Sequence, residues 1–183
     1  MSFLFLNAST REPGVLGNTE QLARTAAQAL PSSLQQTWLR LPEHALPPFV
    51  DHRHGRGSYP MPADGEGLAL LEATLAASDL VFVSPVYWYS IPAPLKLYLD
   101  HWSAWMRVPG LEFKERMAGK RLWVVTTSGS REKAQPMIDS YKLCAEFIGM
   151  RFMGALWGKG GPPGSVAADA NALAEAQRFF IAD

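Results

Sequence analysis

Strand-like and helix-like segments alternate five times along this chain, and that alternation constrains its fold more than any other feature. Short apolar or β-branched runs predict strands, and apolar residues spaced three and four apart predict helices. The predicted strands cover residues 3–6, 34–41, 80–83, 121–127 and 150–157, and the predicted helices cover residues 19–30, 68–77, 92–106, 132–148 and 165–181. Such alternation is typical of a parallel sheet with helices on both faces. We therefore predict an α/β fold, a three-layer sandwich whose five parallel strands lie in the order 2-1-3-4-5.

Composition places the chain among ordinary globular proteins and removes several functional classes. Its 183 residues fit a single domain spanning 1–183, with 48% apolar and 19% charged residues. Seventeen basic residues balance 17 acidic ones, and a neutral chain lacks the basic surface that nucleic-acid binders carry. The apolar run at the start is too short for a signal peptide, and no run reaches the ~18 residues of a membrane helix. We therefore expect a cytoplasmic protein without nucleic-acid partners or membrane insertion.

The first loop, residues 7–19, follows strand one and reads NASTREPGVLGNT. In an open parallel sheet, ligands bind beyond the carboxyl ends of the strands where the strand order reverses, here between strands one and three. The loop leads into a helix N-terminus with Asn18 as a candidate N-cap. Its hydroxyl, amide and guanidinium donors suit a phosphate group, and they belong to Ser9, Thr10, Thr19, Asn18 and Arg11. The alternative is a capped helix with a polar connection, and the spacing matches neither GxxxxGK[ST] nor GxGxxG.

The aromatic loop, residues 84–92, follows the third strand and reads SPVYWYSIP. Its first proline pushes the preceding residue into extended geometry, which ends the strand. Its last proline falls at the start of the next helix, where a missing N–H is tolerated. Between them, Tyr87, Trp88 and Tyr89 can flank a planar ring system. The alternative is that these aromatics pack against a partner subunit or against the long loop of residues 42–67.

The loop after the fourth strand reads TTSGS, residues 126–130. Its small residues permit a ligand to approach the backbone closely, and Gly129 permits unusual dihedral angles. An ordinary turn with a serine N-cap is the alternative interpretation. Together the three loops offer a phosphate cradle, a platform for a flat ring and a third wall. That combination suits a mononucleotide with a planar head group, and FMN is the leading candidate.

These loops resemble the flavodoxin-like NAD(P)H-dependent FMN reductase and quinone reductase family. The matching stretches are NASTREPGVLGNTEQLA, SPVYWYSIPAPLKLYLD and TTSGS, although the first loop is longer than the family's Ser-x-Arg pattern. The resemblance implies a flavodoxin-like fold in which FMN is held by three sets of residues. These are Ser9, Arg11, Asn18 and Thr19 at the phosphate, Pro85, Val86, Tyr87, Trp88 and Tyr89 along the isoalloxazine, and Thr127, Ser128 and Gly129 on the other side.

The same resemblance implies an oxidoreductase in which NADPH or NADH reduces bound FMN. The electrons then pass to a quinone, a nitro or azo compound, free flavin or a metal ion. A bound flavin carries this chemistry itself, so no catalytic side chain and no metal ligand is named. Two alternatives stay open: an electron-transfer protein of the flavodoxin type without nicotinamide chemistry, and a flavin-free interaction protein on the same fold.

The resemblance also implies a homodimer or a dimer of dimers. We expect the helical face carrying Tyr98, Trp102 and Trp105 to contribute to such an interface, because it holds more aromatic surface than one small core requires. The segment WGKGGPPGS, residues 157–165, is expected to lie over the active site, to contact a second subunit or simply to connect a strand to a helix.

The remaining reactive side chains receive simpler interpretations. His52 and His54 lie in the long loop without further ligands nearby, so a solvated loop is expected. Neighbouring Arg53 and Arg56 are candidates for contacting the phosphate of NADPH. The single cysteine, Cys144, shares a helix face with apolar residues and is expected to be buried. Lys96 and Asp100 lie four apart on one predicted helix and are expected to pair.

Overall fold

Among residues 1–181, five strands form one sheet in which every neighbouring pair is parallel, in the order β2-β1-β3-β4-β5. The computed structural model describes residues 1–181, so the last two residues of the predicted domain lie outside the described residues. The strands are β1 (Ser2–Asn7), β2 (Gln35–Arg40), β3 (Asp79–Val83), β4 (Arg121–Ser128) and β5 (Arg151–Lys159). The fold and strand order predicted from the sequence are confirmed, including the edge position of the polar strand β2.

Within the described residues, six α-helices pack against the sheet and cover both of its faces. They are α1 (Asn18–Ala27), α2 (Gly65–Ala76), α3 (Ala93–Trp105), α4 (Phe113–Met117), α5 (Arg131–Ile148) and α6 (Ala170–Phe179). Short 3₁₀ turns cover Leu41–Glu43 and Ser165–Ala168. None of these helices combines the length and apolar character that crossing a membrane requires.

The apolar strands separate two hydrophobic cores, one on each face of the sheet. In β3 all five residues are buried, which explains why its sequence DLVFV lacks polar alternation. Phe82 faces the core formed with α2, α3 and α5, whereas Val81 and Val83 face the core formed with α1 and α6. Burial of both faces makes β3 the centre of the sheet and fixes the aromatic loop at its carboxyl end.

The aromatic face of α3 belongs to the core, so its expected role in a dimer interface is wrong. Tyr98, Trp102 and Trp105 are each no more than 4% exposed. Helix α4, which the sequence pattern did not predict, covers the two tryptophans: the Phe113 ring lies 5.9 Å from that of Trp102 and 5.5 Å from that of Trp105. The surplus aromatic surface is therefore buried by the chain's own next helix.

The long loop of residues 42–67 packs across the outer side of α3. The His101 ring lies 2.9 Å from the Pro47 carbonyl oxygen, and the Tyr59 backbone N–H donates to the Arg107 carbonyl oxygen. Phe49 and Tyr59 stack with ring centroids 6.1 Å apart. The predicted loop thus has a defined course. It ends three residues earlier than expected, because helix α2 begins at Gly65.

Two helix boundaries differ from the prediction in ways that affect the site. Helix α1 begins at Asn18, so Gly17 rather than Asn18 is its N-cap residue. The predicted last helix divides into a 3₁₀ turn and α6, because the Asp169 side chain accepts a hydrogen bond from the Ala172 backbone N–H and starts a new helix. Both changes concern segments that surround the N-terminal end of α1.

Candidate FMN site

A cavity of about 360 Å³ opens at the carboxyl ends of β1, β3 and β4. Its position agrees with the rule that ligands of doubly wound sheets bind where the strand order reverses. Its volume lies within the ~300–1,000 Å³ typical of small-molecule sites. Ten of the twelve residues predicted to hold FMN line this cavity: Ser9, Arg11, Asn18, Thr19, Pro85, Val86, Tyr87, Thr127, Ser128 and Gly129.

The N-terminus of α1 opens into the cavity without a side-chain cap. Gly17 is extended at the N-cap position, and no side chain there accepts a hydrogen bond from the first turn. The exposed side chain of Arg11 folds back over this turn. It lies so close that a Cβ added to Gly17 would be 3.1 Å from the Arg11 Nε atom. Unpaired backbone N–H groups, the positive end of the helix dipole and a guanidinium therefore meet at one place, which favours an anion.

Two hydroxyl groups meet on the floor of the cavity. Thr19 and Thr127 are 4% and 8% exposed, and their Oγ1 atoms lie 2.7 Å apart. One hydroxyl donates to the other, which leaves the second free to donate to a ligand. Beside them the Ser128 hydroxyl accepts from the indole Nε1 of Trp157 at 2.8 Å and donates to the Ser130 carbonyl oxygen at 2.6 Å. The hydroxyl pair is thus the better donor to a bound group.

The side chain of Asn18 is occupied by the segment that follows β5. Its Nδ2 atom lies within 3.2 Å of three acceptors, the carbonyl oxygens of Gly161 and Pro162 and the Ser165 hydroxyl. Its Oδ1 atom accepts from the Val166 backbone N–H at 3.2 Å. The predicted contact between Asn18 and phosphate stays a prediction, and its observed contacts hold the glycine-rich segment against the cavity.

The aromatic loop makes a tight two-residue turn. Tyr87 and Ser90 exchange backbone hydrogen bonds of 3.3 and 3.0 Å around Trp88 and Tyr89, which have φ angles of +50° and +61°. Positive φ at both central residues is the geometry of a type I′ turn, which usually takes asparagine and glycine. Two aromatic residues in this conformation are strained by about 1–2 kcal/mol each.

The three tyrosine and tryptophan residues of this loop separate in the structure. Tyr87 lines the cavity, and the Thr10 hydroxyl donates to its phenol oxygen at 3.2 Å, so the first loop and the aromatic loop touch. Trp88 is 93% exposed and Tyr89 is 56% exposed, and neither is among the residues that line the cavity. Their assignment to the isoalloxazine stays a prediction.

A carboxylate beside the N-terminal end of α1 is paired with a cation and an amide. Glu20 borders the cavity, but its Oε1 atom pairs with Arg24 at 2.7 Å and its Oε2 atom accepts from Asn7 Nδ2 at 2.8 Å. The Arg24 guanidinium in turn lies 4.4 Å from the ring centroid of Trp38. These contacts hold the negative charge of Glu20 in place and reduce its repulsion of a ligand phosphate.

Four further lining residues were not predicted: Gly17, Glu20, Gly160 and Gly161. The signal for the last two was present in WGKGGPPGS, and the structure supports the interpretation that this segment lies at the site. Glycine at position 160 avoids tight contacts, because an added Cβ would lie 3.1 Å from Thr127 Cβ and 3.2 Å from the Ser128 backbone nitrogen. The segment after β5 is therefore the fourth wall of the cavity.

Two other predicted contacts can be compared with the structure. The pairing of Lys96 with Asp100 is confirmed. Arg53 binds the carboxylate of Asp51 with both Nε and Nη2, so its proposed contact with NADPH would require this pair to open. Within residues 1–181 no group of three or more His, Cys, Asp or Glu side chains could hold a metal ion.

The expectation that Cys144 is buried holds only in part. Its side chain is half-buried in an apolar groove between α3 and α5, because helix α5 turns this edge toward solvent. Burial raises the pKa of the Cys144 thiol above its ordinary value, which lowers its reactivity at neutral pH.

Comparison with known proteins identifies the family. Residues 1–179 match the family described as having a flavodoxin-like fold, and the chain belongs to that family. A Bacillus subtilis relative, provisionally named NAD(P)H-dependent FMN-containing oxidoreductase YwqN, is 31% identical over 183 residues, which cover 98% of this chain and 97% of the relative. The family resemblance drawn from the sequence is thereby confirmed.

Solved structures agree with this assignment. The Trp repressor binding protein from Bacillus subtilis superimposes with a TM-score of 0.72 at 27% identity, covering 97% of this chain and 96% of that one. An FMN-dependent NADH-azoreductase from Bacillus anthracis, solved in complex with FMN, has a TM-score of 0.68 at 14% identity, with 97% of each chain covered. At that identity the second likeness shows the fold alone.

Proposed function

We propose that this chain is an FMN-dependent oxidoreductase that takes electrons from NADPH or NADH and passes them to a small acceptor. The acceptor classes are quinones, nitro or azo compounds, free flavin and metal ions. The observation that carries the proposal is the cavity itself, in which an uncapped helix N-terminus, a hydroxyl pair and an aromatic loop converge. Membership in a family whose relative YwqN is named as an FMN-containing oxidoreductase supports the same conclusion.

The residues present fit the parts of FMN. The α1 N-terminus, Arg11 and the Thr19 hydroxyl supply donors for a phosphate, and Glu20 is already paired. Pro85, Val86 and Tyr87 offer apolar surface and backbone for a flat ring, with Gly129 across the cavity. FMN when bound supplies the hydride-accepting and electron-donating chemistry.

The protein's own contribution is positioning and electrostatics. The Thr19–Thr127 pair and the first turn of α1 orient an anion, since their donors are fixed before a ligand arrives. Backbone N–H groups of the aromatic loop can stabilise negative charge at the ring because the loop is held by its own turn. No side chain in the cavity is required to transfer a proton, so none is assigned as a catalytic residue.

We also propose a cytoplasmic homodimer. The supporting surface is an apolar groove between α3 and α5, beside which Leu143 and Phe147 are 66% and 63% exposed. Such side chains on one helix face are typical of an interface between subunits. Light scattering coupled to gel filtration tests the proposal, and replacement of both residues by glutamate is expected to yield monomers.

Visible spectroscopy tests the central proposal. The purified chain, titrated with FMN, is expected to develop a perturbed flavin spectrum and then lose absorbance at about 450 nm on anaerobic addition of NADPH or NADH. A chain that binds FMN but is not reduced by either nucleotide would be an electron-transfer protein instead. Absence of any FMN binding at millimolar flavin would overturn the proposal and favour a flavin-free interaction protein.

A further inference from the structure

Arg40, the last residue of β2, contacts the first loop from behind. Its guanidinium donates to the carbonyl oxygen of Ser9 at 3.3 Å and to that of Arg11, and it pairs with Glu43 at 3.0 Å. The parallel register pairs Arg40 with Asn7, so the side chain leaves the sheet where the loop begins. Arg40 does not line the cavity but borders a separate cleft on the other side of the loop.

The contact with two carbonyl groups determines where the following N–H groups point. All described peptide bonds in this loop are trans, and in a trans peptide the N–H points opposite to the C=O. The N–H groups of Thr10 and Glu12 therefore point away from Arg40. Neither donates a hydrogen bond to another group among residues 1–181. The Thr10 hydroxyl donates to the Tyr87 phenol oxygen, and its neighbours Ser9 and Arg11 line the cavity, so this loop borders the site.

Other hydrogen bonds within the first loop use the N–H groups of Ser9 and Arg11 but not those of Thr10 and Glu12. The Ser9 N–H donates to Asn7 Oδ1 at 3.0 Å, and the Arg11 N–H lies 3.4 Å from the Ser9 hydroxyl. The donors of Ser9 and Arg11 are thus used within the loop, whereas those of Thr10 and Glu12 are available to an anion. The Arg40 side chain is only 18% exposed, which limits solvent competition for its hydrogen bonds.

We propose that Arg40 is a positioning residue for the phosphate of FMN. By holding the carbonyl groups of Ser9 and Arg11, it fixes the peptide planes that present the N–H groups of Thr10 and Glu12 as phosphate donors. The fork of an arginine suits this role because it offers several donors in one rigid plane. The inference rests on the proposed function, since it assigns the phosphate of FMN to this loop.

The test compares the binding of FMN with that of riboflavin, which lacks the phosphate. Arg40→Met removes the hydrogen bonds from Arg40 to the Ser9 and Arg11 carbonyl oxygens, which we call the clamp. Glu43→Gln is the matched control because it removes the ion pair but leaves the arginine. We expect Arg40→Met to raise the Kd for FMN about tenfold and that for riboflavin less than about twofold. The control is expected to change neither by more than about twofold. Flavin fluorescence measures both constants.

Salt separates the clamp from a simple charge effect. The loss of FMN affinity in Arg40→Met is expected to persist at about 0.5 M NaCl, whereas a long-range attraction between arginine and phosphate would be screened. Disappearance of the difference in high salt would overturn the proposal. So would an equal loss for FMN and riboflavin, which would indicate general loosening of the site, or no loss for either flavin.

Hydrogen exchange keeps the two proposals separable. Without flavin, the hydrogen-bonded amides of this loop, those of Ala8, Ser9 and Arg11, are expected to exchange faster in Arg40→Met than in wild type, because the carbonyl anchors are lost. If the wild-type chain binds no FMN, the proposed function fails whatever Arg40 does. If wild type binds FMN and exchange in this segment is unchanged in the variant, the proposed function stands and the clamp is wrong.

Discussion

The two sides of the cavity are built by different means. On the side proposed to hold the phosphate, called the phosphate side below, buried polar side chains connect segments far apart in sequence: Asn18 bonds to Gly161 and Pro162, and Thr19 meets Thr127. On the side proposed to hold the flavin ring, called the ring side below, the aromatic loop is shaped by a local backbone turn whose central residues are exposed. The first side depends on tertiary contacts and the second on the dihedral angles of two residues.

The difference indicates how each side tolerates change. A buried hydrogen-bonding side chain leaves unpaired partners behind when it is removed, so its loss destabilises the protein. A strained exposed turn behaves in the opposite way, since a residue better suited to positive φ relieves strain. The phosphate side is therefore expected to lose stability on substitution, and the ring side to gain it.

The largest expected effect is that of Asn18→Ala. It removes three close acceptor contacts and one donor contact that hold the segment after β5. We expect the free energy of unfolding to fall by about 3 kcal/mol, or roughly 6–12 °C in Tm, because several buried groups lose their partners. Gln21→Ala on the same helix is the control and should stay within about 0.5 kcal/mol. Denaturation in urea measures both, and a loss below about 1 kcal/mol for Asn18→Ala would contradict the comparison.

The next effect has the opposite sign. Changing Trp88→Asn together with Tyr89→Gly places the preferred type I′ pair in the turn between Tyr87 and Ser90. We expect unfolding to require about 1–2 kcal/mol more, because the relief of about 2–4 kcal/mol of backbone strain is partly offset by the larger conformational entropy that glycine loses on folding. Replacing Tyr89 by Phe alone is the control and should leave stability unchanged. A destabilised double variant would show that the two exposed rings make stabilising contacts that outweigh the strain.

How much of the fold the sequence predicts depends on which contacts are local. The order of strands followed from alternation, and the burial of β3 followed from an uninterrupted apolar run. Helix α4 was missed because five residues are too few to show a helical period. That omission misled the interpretation of Trp102 and Trp105, since a pattern shows that a face is buried but not which element covers it.

The site shows the same limit. Ten predicted residues line the cavity because strand ends converge in a parallel sheet. Loop chemistry and topology together were therefore sufficient to predict which loops border the cavity. The segment around Gly160 was expected at the site, but the tight contacts of Gly160 and the role of Arg40 could not be predicted, because both depend on packing between segments distant in sequence. The conformation of Trp88 and Tyr89 was also beyond the sequence, since aromatic residues seldom adopt positive φ.

A smaller effect tests the hydroxyl pair on the phosphate side. Thr19→Val keeps the shape of the side chain but removes a donor that lies 2.7 Å from Thr127 Oγ1. We expect FMN binding to weaken about tenfold, as is typical of one lost hydrogen bond in a buried site. Thr25→Val is the control, because this hydroxyl bonds to the Gln21 carbonyl oxygen on the same helix outside the cavity. Equal affinities for the two variants, measured by fluorescence titration, would remove Thr19 from the site.

The smallest effect concerns Asp169, which supports the phosphate side from the start of α6. Backbone N–H groups of Lys159 and Ala172 donate to its carboxylate and hold its pKa below the ordinary value. A carboxyl with a lowered pKa in the folded state stabilises the protein above its unfolded pKa of about 3.9, and that stabilisation is lost as the pH falls through the folded value. We therefore expect Asp169→Ala to lower the free energy of unfolding by about 1 kcal/mol at pH 7, with the difference shrinking below about pH 4.

Asp64 provides the matched control for this last effect, because it occupies the N-cap position of α2 without any side-chain capping hydrogen bond. Asp64→Ala is expected to change the free energy of unfolding by less than about 0.5 kcal/mol at neutral pH. Urea denaturation of both variants at several pH values compares them directly. Equal losses at pH 7 would mean that helix-dipole charge, rather than the two backbone donors, accounts for the contribution of Asp169. A larger loss for Asp169→Ala would mean that the stabilisation comes from the hydrogen bonds that tie α6 to the end of β5. Those bonds support the wall of the cavity that Gly160 forms.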